Sequence, residues 1–141
     1  MRRPATPGIY TAGQGNGFLW GLWTPSVTQS ATPAQSSSNS LYLITDRVAD
    51  AWCTVSFTGS GTASNSIVCT LPFTALWTAG AIGEFRYFDS GNTNRAGTVV
   101  LASTTTVNFI YDGFGSNMGA GDFAIASGDS FSMHVRVPLA A

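Results

Sequence analysis

The chain carries one histidine, His134, two cysteines, Cys53 and Cys69, and seven carboxylates. Nucleophilic catalysis needs a hydroxyl or thiol with a base in hydrogen-bonding reach and an acid to orient that base. A single imidazole and the absence of any GxSxG-type elbow leave that constellation unwritten. Glycoside hydrolysis needs two carboxylates across a cleft. The acids here are Asp46, Asp50, Glu84, Asp89, Asp112, Asp122 and Asp129. Asp89, Asp112, Asp122 and Asp129 lie close to glycines, as Asp does when its side chain organises a turn. A Ca²⁺ site needs several loop oxygens. The stretch Asp112–Asp122 is the best candidate to offer them, but it does not match an EF-hand loop. Its glycines also lack the Lys and helix start of a phosphate loop. No enzyme activity and no cofactor are expected.

Several residues have more than one reading. His134 alternates outward beside Arg136, as a solvated strand residue or as a subunit contact. Cys53 and Cys69 fall on the inward phase of two runs that read as a hairpin. Placing Cys53 opposite Cys69 sets Val55 opposite Ile67 and Phe57 opposite Asn65, with Thr58–Ser64 as the connection. Two buried thiols acting as small core residues and a cross-strand disulfide both fit. A metal or redox role lacks a third ligand nearby. Trp52, in the opposite phase to Cys53, faces outward. An exposed Trp marks an interface or a sugar platform, unless the N-terminal segment packs over it. Trp23, Trp77, Tyr87 and Tyr111 are further candidates for stacking.

The composition narrows the function classes. Charged residues make up 9% and none is lysine, against about a quarter in an ordinary domain. The formal net charge is −1, and the scattered arginines form no basic stripe, which argues against nucleic acid as a partner. No run approaches the ~20 apolar residues of a membrane helix, so no membrane insertion is expected. No apolar core of signal-peptide type follows Arg2 and Arg3, so the usual secretory route is not expected either. Nine Phe, four Trp and four Tyr can build a core, and 141 residues suffice for one domain around it.

The elements that position these residues are strands. Residues 1–39, rich in Pro, Gly, Ser and Thr, read as an extended N-terminal arm with one short strand near Leu22–Val27. Its aromatic cluster makes Phe18, Trp20 and Trp23 candidate assembly anchors, either packed back on the domain or laid on a neighbour. From Ser40 the period-2 signal takes over. Strands are expected over Ser40–Thr45, Ala51–Phe57, Ile67–Leu71, Ile82–Phe88, Gly97–Ser103, Thr105–Tyr111, Phe123–Ala126 and Phe131–Val137. Phe73–Ala81 could hold one helical turn. About eight short strands separated by turns predict an all-β fold. Its expected form is an antiparallel, jelly-roll-like β-sandwich over 40–141.

From about Leu22 to Ala141 the chain resembles a small β-sandwich module of tailed-bacteriophage virion proteins. The resemblance rests on Trp23-Thr24-Pro25-Ser26-Val27, Leu71-Pro72-Phe73-Thr74 and Phe85-Arg86-Tyr87-Phe88-Asp89 with the Asn94-Arg95 turn. It extends through Ala96–Leu101, Thr104–Val107 and Ala126–Phe131. It implies a structural or adhesive role in a virion assembled in the host cytoplasm, and a homotrimer. A capsid decoration or head-fibre subunit bound to the major capsid protein or another virion protein is the first expectation. A tail-fibre or tail-tip adhesin that binds host-surface glycan through loops Asp89–Arg95 and Asp112–Asp122 is the alternative. Trp52, His134 and Arg136 are the candidate interface residues, and Cys53 with Cys69 the candidate disulfide. The resemblance carries no catalytic residue across, and the cysteine pair is not expected of the module.

Overall fold

The computed structural model describes residues 18–91, 93–111 and 116–140. Those residues form β1 (Phe18–Leu22), β2 (Val27–Thr28), β3 (Gln35–Thr45), β4 (Val48–Phe57) and β5 (Val68–Thr70). They continue with β6 (Ala81–Phe88), β7 (Arg95–Leu101), β8 (Thr106–Tyr111) and β9 (Ser130–Pro138). There is no helix among them. All pairings are antiparallel, in one sheet of order β1-β3-β4-β9-β6-β7-β8-β5-β2 that curls into a half-barrel.

The alternation read from the sequence sets which side chains fill the curl. Ala51, Cys53, Val55 and Phe57 of β4 are buried, as are Phe85 and Tyr87 of β6 and Phe131, Met133, Val135 and Val137 of β9. Edge-to-face ring contacts cross the interior. Phe109 of β8 packs on Phe85 of β6 at 5.1 Å and on Phe131 of β9 at 5.2 Å. Phe109 is two strands from Phe85 and three from Phe131 in the sheet order, so only curvature brings these rings together.

The pairing corrects two expectations. Cys53 does not oppose Cys69, because β4 lies between β3 and β9 and pairs Cys53 with Met133. Cys69 pairs with Val107 of β8 and Val27 of β2. The segment between β4 and β5 crosses from one wall to the other instead of closing a hairpin. Its Gly61 N–H donates to Ile125 O at 2.9 Å and Ile67 N–H to Met118 O at 2.9 Å. These bonds satisfy backbone groups that a hairpin ladder would otherwise have paired.

The second correction concerns the arm. Residues 1–17 lie outside the described residues, but 18–39 hold β1, β2 and the start of β3. The expected boundary after Asn39 falls inside β3, and the expected strand near Leu22–Val27 is instead a gap between β1 and β2. Val27 and Gln29 are fully buried. The Gln29 carboxamide donates to Asn65 O at 3.1 Å and Phe123 O at 2.7 Å, and accepts from Ile125 N at 2.8 Å. Gly119, with φ +91°, passes so close that a Cβ there would sit 2.7 Å from Gln29 Nε2 and Asn65 O. Phe123–Ala126, expected as a strand, is instead a segment tied to Gln29. Phe73–Ala81 contains no helical turn; it is a loop fastened by Ala75 N to Thr104 O at 2.7 Å and Leu76 N to Pro138 O at 2.8 Å.

The two ends of the sheet differ. At β2 the Gln35 carboxamide of β3 accepts from Val27 N–H and donates to Val27 O, each at 2.9 Å. One side chain thus takes the place of a neighbouring strand and blunts that edge. Beyond β1 no strand follows among the described residues.

Candidate functional site

The outer face of the sheet is built from the residues that alternate with the core. Antiparallel register sets them in rows, with partners near enough to touch. One row runs Leu22, Leu41, Trp52, His134, Glu84, Thr98 and Ile110 from β1 to β8. The next holds Trp20, Leu43, Asp50 and Arg136. On the other side lie Thr54, Ser132, Arg86 and Ala96, and then Ser56, Ser130 and Phe88.

Asp50 organises the centre. It is only 8% exposed, and its two oxygens are 2.9 Å from His134 Nε2 and 3.0 Å from Arg136 NH1. The imidazole stacks on Trp52 with ring centroids 4.8 Å apart and planes 4° from parallel. Trp23 Nε1–H donates to the Trp52 carbonyl at 3.2 Å. The three candidate interface residues therefore lie together, joined by an acid the sequence did not single out. A shallow groove of about 570 Å³ opens beside them, lined by Trp52, Thr54, Glu84, Arg86, Ser132 and His134 among others. A second depression of about 430 Å³ shares Thr54, Arg86 and Ser132 and extends the groove to Phe88 and Ser130.

The anchor residues divide. Trp20 is half-buried on the outer face beside Leu43, whereas Trp23 packs against the core. Phe18 pairs with Thr45 in β1, and its side chain is outside the described residues. Leu22, not singled out from the sequence, is 73% exposed, with Leu41 beside it at 36%. Gly21 lets β1 approach β3 closely, since a Cβ there would meet the Tyr42 ring at 2.6–2.7 Å.

Both cysteines are free and buried, and they sit on facing walls of the core. The Cys69 thiol donates to Thr70 O at 3.4 Å. Its hydrogen bond with Cys53, and then burial, push it well above the ordinary thiol range.

The loops expected to carry recognition use their charges internally. Arg95 NH1 lies 2.7 Å from Asp89 and Arg95 Nε 3.8 Å from Asp122. Its guanidinium stacks 3.9 Å over Phe123. Burial alone would lower the Arg95 pKa, but hydrogen bonds to Asp89 and Tyr111 and the nearby Asp122 raise it. Asp129, 1% exposed, accepts from Tyr87 OH at 2.7 Å, Ser90 N at 2.9 Å and Ala126 N at 3.0 Å. That is the work of a turn-organising Asp. Burial first, and then the Asp129 hydrogen bond, push the Tyr87 hydroxyl far above its ordinary value. Residues 112–115 of the proposed Ca²⁺ loop lie outside the described residues. Among the described residues no three His, Cys, Asp or Glu side chains converge as a metal site requires.

Glu84 and Arg86 were not singled out as site residues from the sequence, since strict alternation sets them in phase with Ile82, which is buried; an irregularity between Ala81 and Gly83 separates them. Glu84 and Arg86 are exposed on a strand in the middle of the sheet. Comparison with known proteins found no matching family model, no matching curated protein and no matching solved structure.

Proposed function

We propose that this chain is a non-enzymatic structural subunit of a tailed-phage virion, a capsid decoration or head-fibre protein. It binds its neighbour through the outer face of β1, β3 and β4. In this reading the curled sheet is a jelly-roll-like sandwich, the subunit is a homotrimer, and its N-terminal residues anchor it. The phage assignment comes from the sequence resemblance. The observation that carries the mode of binding is the contrast between the two sheet edges. β2 is closed by Gln35, while among the described residues no strand lies beyond β1, and Leu22 and Leu41 are exposed beside Trp20, Leu43 and Trp52. An exposed apolar face invites association, and clustered aromatic and aliphatic anchors are where contact energy concentrates.

Gold-labelled antibody against the chain, imaged on intact particles of the phage that encodes it, tests this reading. Label over the head lattice is expected. Label confined to the tail tip would transfer the assignment to an adhesin, and label on no particle would end the virion reading.

A further inference from the structure

We propose that the groove across the outer face of β4, β9 and β6 is a binding site for a short neutral saccharide. This inference does not depend on the virion reading, although its groove shares β4 and Trp52 with the proposed contact face.

It starts from how this chain spends its few charges. Asp50 is held by His134 and Arg136, Asp89 and Asp122 by Arg95, and Asp129 by Tyr87 and backbone donors. The side chains of Glu84 and Arg86, like those of Asp46 and Arg47 in the turn between β3 and β4, make no hydrogen bond or ion pair among the described residues, but Glu84 and Arg86 stand two residues apart on one face of β6, in the groove. The fold does not need them there, because a central strand is held by its ladder and its buried face.

Their surroundings specify the ligand. Thr54 and Ser132, each with a hydroxyl, and Asn39, with a carboxamide, also line the groove. Arg86 supplies only donors and Glu84 only acceptors, while the hydroxyls and amide supply both. A polyol presents the same mixture, because each of its hydroxyls donates and accepts. Vicinal diols also suit the paired oxygens of a carboxylate and the fork of a guanidinium. The adjacent opposite charges cancel. An anionic ligand would meet Glu84 and a cationic one would meet Arg86, whereas a neutral polyol opposes neither charge.

Apolar surface stands at both ends, with the stacked Trp52–His134 pair at one and Phe88, 51% exposed, at the other. Such surfaces cover the C–H faces of sugar rings. Glu84 to Phe88 spans four residues of strand, about 13 Å, which is room for two or three sugar units. The groove's volume of about 570 Å³ also falls in the range of small-ligand sites.

The test is a titration of ¹⁵N-labelled protein with millimolar cellotriose, maltotriose, mannotriose and triacetylchitotriose, followed by amide and indole shifts. At least one sugar is expected to move the signals of Thr54, Glu84, Arg86, Ser132 and the Trp52 indole. Arg86→Ala and Glu84→Gln, both at exposed positions, should keep the native spectrum. Each should weaken binding about tenfold or more, the loss expected for one charge-assisted contact. No shift with any of the four sugars overturns the proposal. So do shifts that cluster away from the groove, or binding that survives unchanged in both variants.

Discussion

Replacing Gln29 by Leu tests whether the N-terminal stretch belongs to the folded domain. Gln29 is fully buried and joins residues 36, 94 and 96 positions away in sequence. Leu fills a similar volume but leaves the Ile125 N–H and the carbonyls of Asn65 and Phe123 without partners. An orphaned buried group costs about 1–3 kcal/mol, so three of them, partly relaxed, cost about 3–6 kcal/mol. At roughly 3 °C per kcal/mol for a domain of this size, Tm should fall by about 10–20 °C. Gln35→Ala gives the contrast. It frees backbone groups of Val27, which is buried beneath Gln35, but truncation to Ala opens this last strand of the sheet to water that can replace the amide, so its cost should be about 1 kcal/mol. Urea unfolding followed by tryptophan fluorescence measures both. If Gln29→Leu loses no more stability than Gln35→Ala, the view of Gln29 as the tie between three loops is wrong.

Tyr87 makes stability sensitive to alkaline pH. Its folded pKa is raised, so its contribution is complete below the unfolded value of about 10 and drains away as pH rises above it. Wild type should lose up to about 1.4 kcal/mol per pH unit more than Tyr87→Phe above pH 10; parallel curves would contradict this. Cys53 and Cys69, 2% and 0% exposed, should react with a thiol reagent only as fast as the protein unfolds, and reaction within seconds in native buffer would show the core to be open. Arg95→Lys keeps the charge but loses the planar stack on Phe123, at a cost of about 1 kcal/mol. An unchanged urea midpoint would refute that role for the guanidinium.

The local code of this chain was legible and its long-range pairing was not. Alternation in Ala51–Phe57 and Phe131–Val137 told inner from outer faces, because burial on one side of a strand forces period 2. The same alternation already placed Trp52 and His134 outward. What brings them together with Glu84 is the order β4-β9-β6, and no turn signal encodes pairings such as Trp52 with His134 or Glu84 with His134, between strands far apart in the chain. Asp50 lay just outside the strand expected from Ala51, and its role depends on the β4–β9 register. The cysteine register failed for the same reason, since a Gly- and Ser-rich link reads as a hairpin turn whether its strands pair or cross the core. The stretch Ser36–Ser38 read as arm because hydroxyl residues are common in coil. It is exposed strand, held by its backbone ladder to β4.

Leu22→Arg places a charge on the exposed β1 face at a position 73% exposed, where folding should be undisturbed. The decisive measurement is the number of copies retained per purified particle, wild type against Leu22→Arg, with the fold of both checked by circular dichroism. Loss of most copies in a correctly folded variant is the result expected if β1, β3 and β4 form the contact face. Full retention would contradict that placement of the contact.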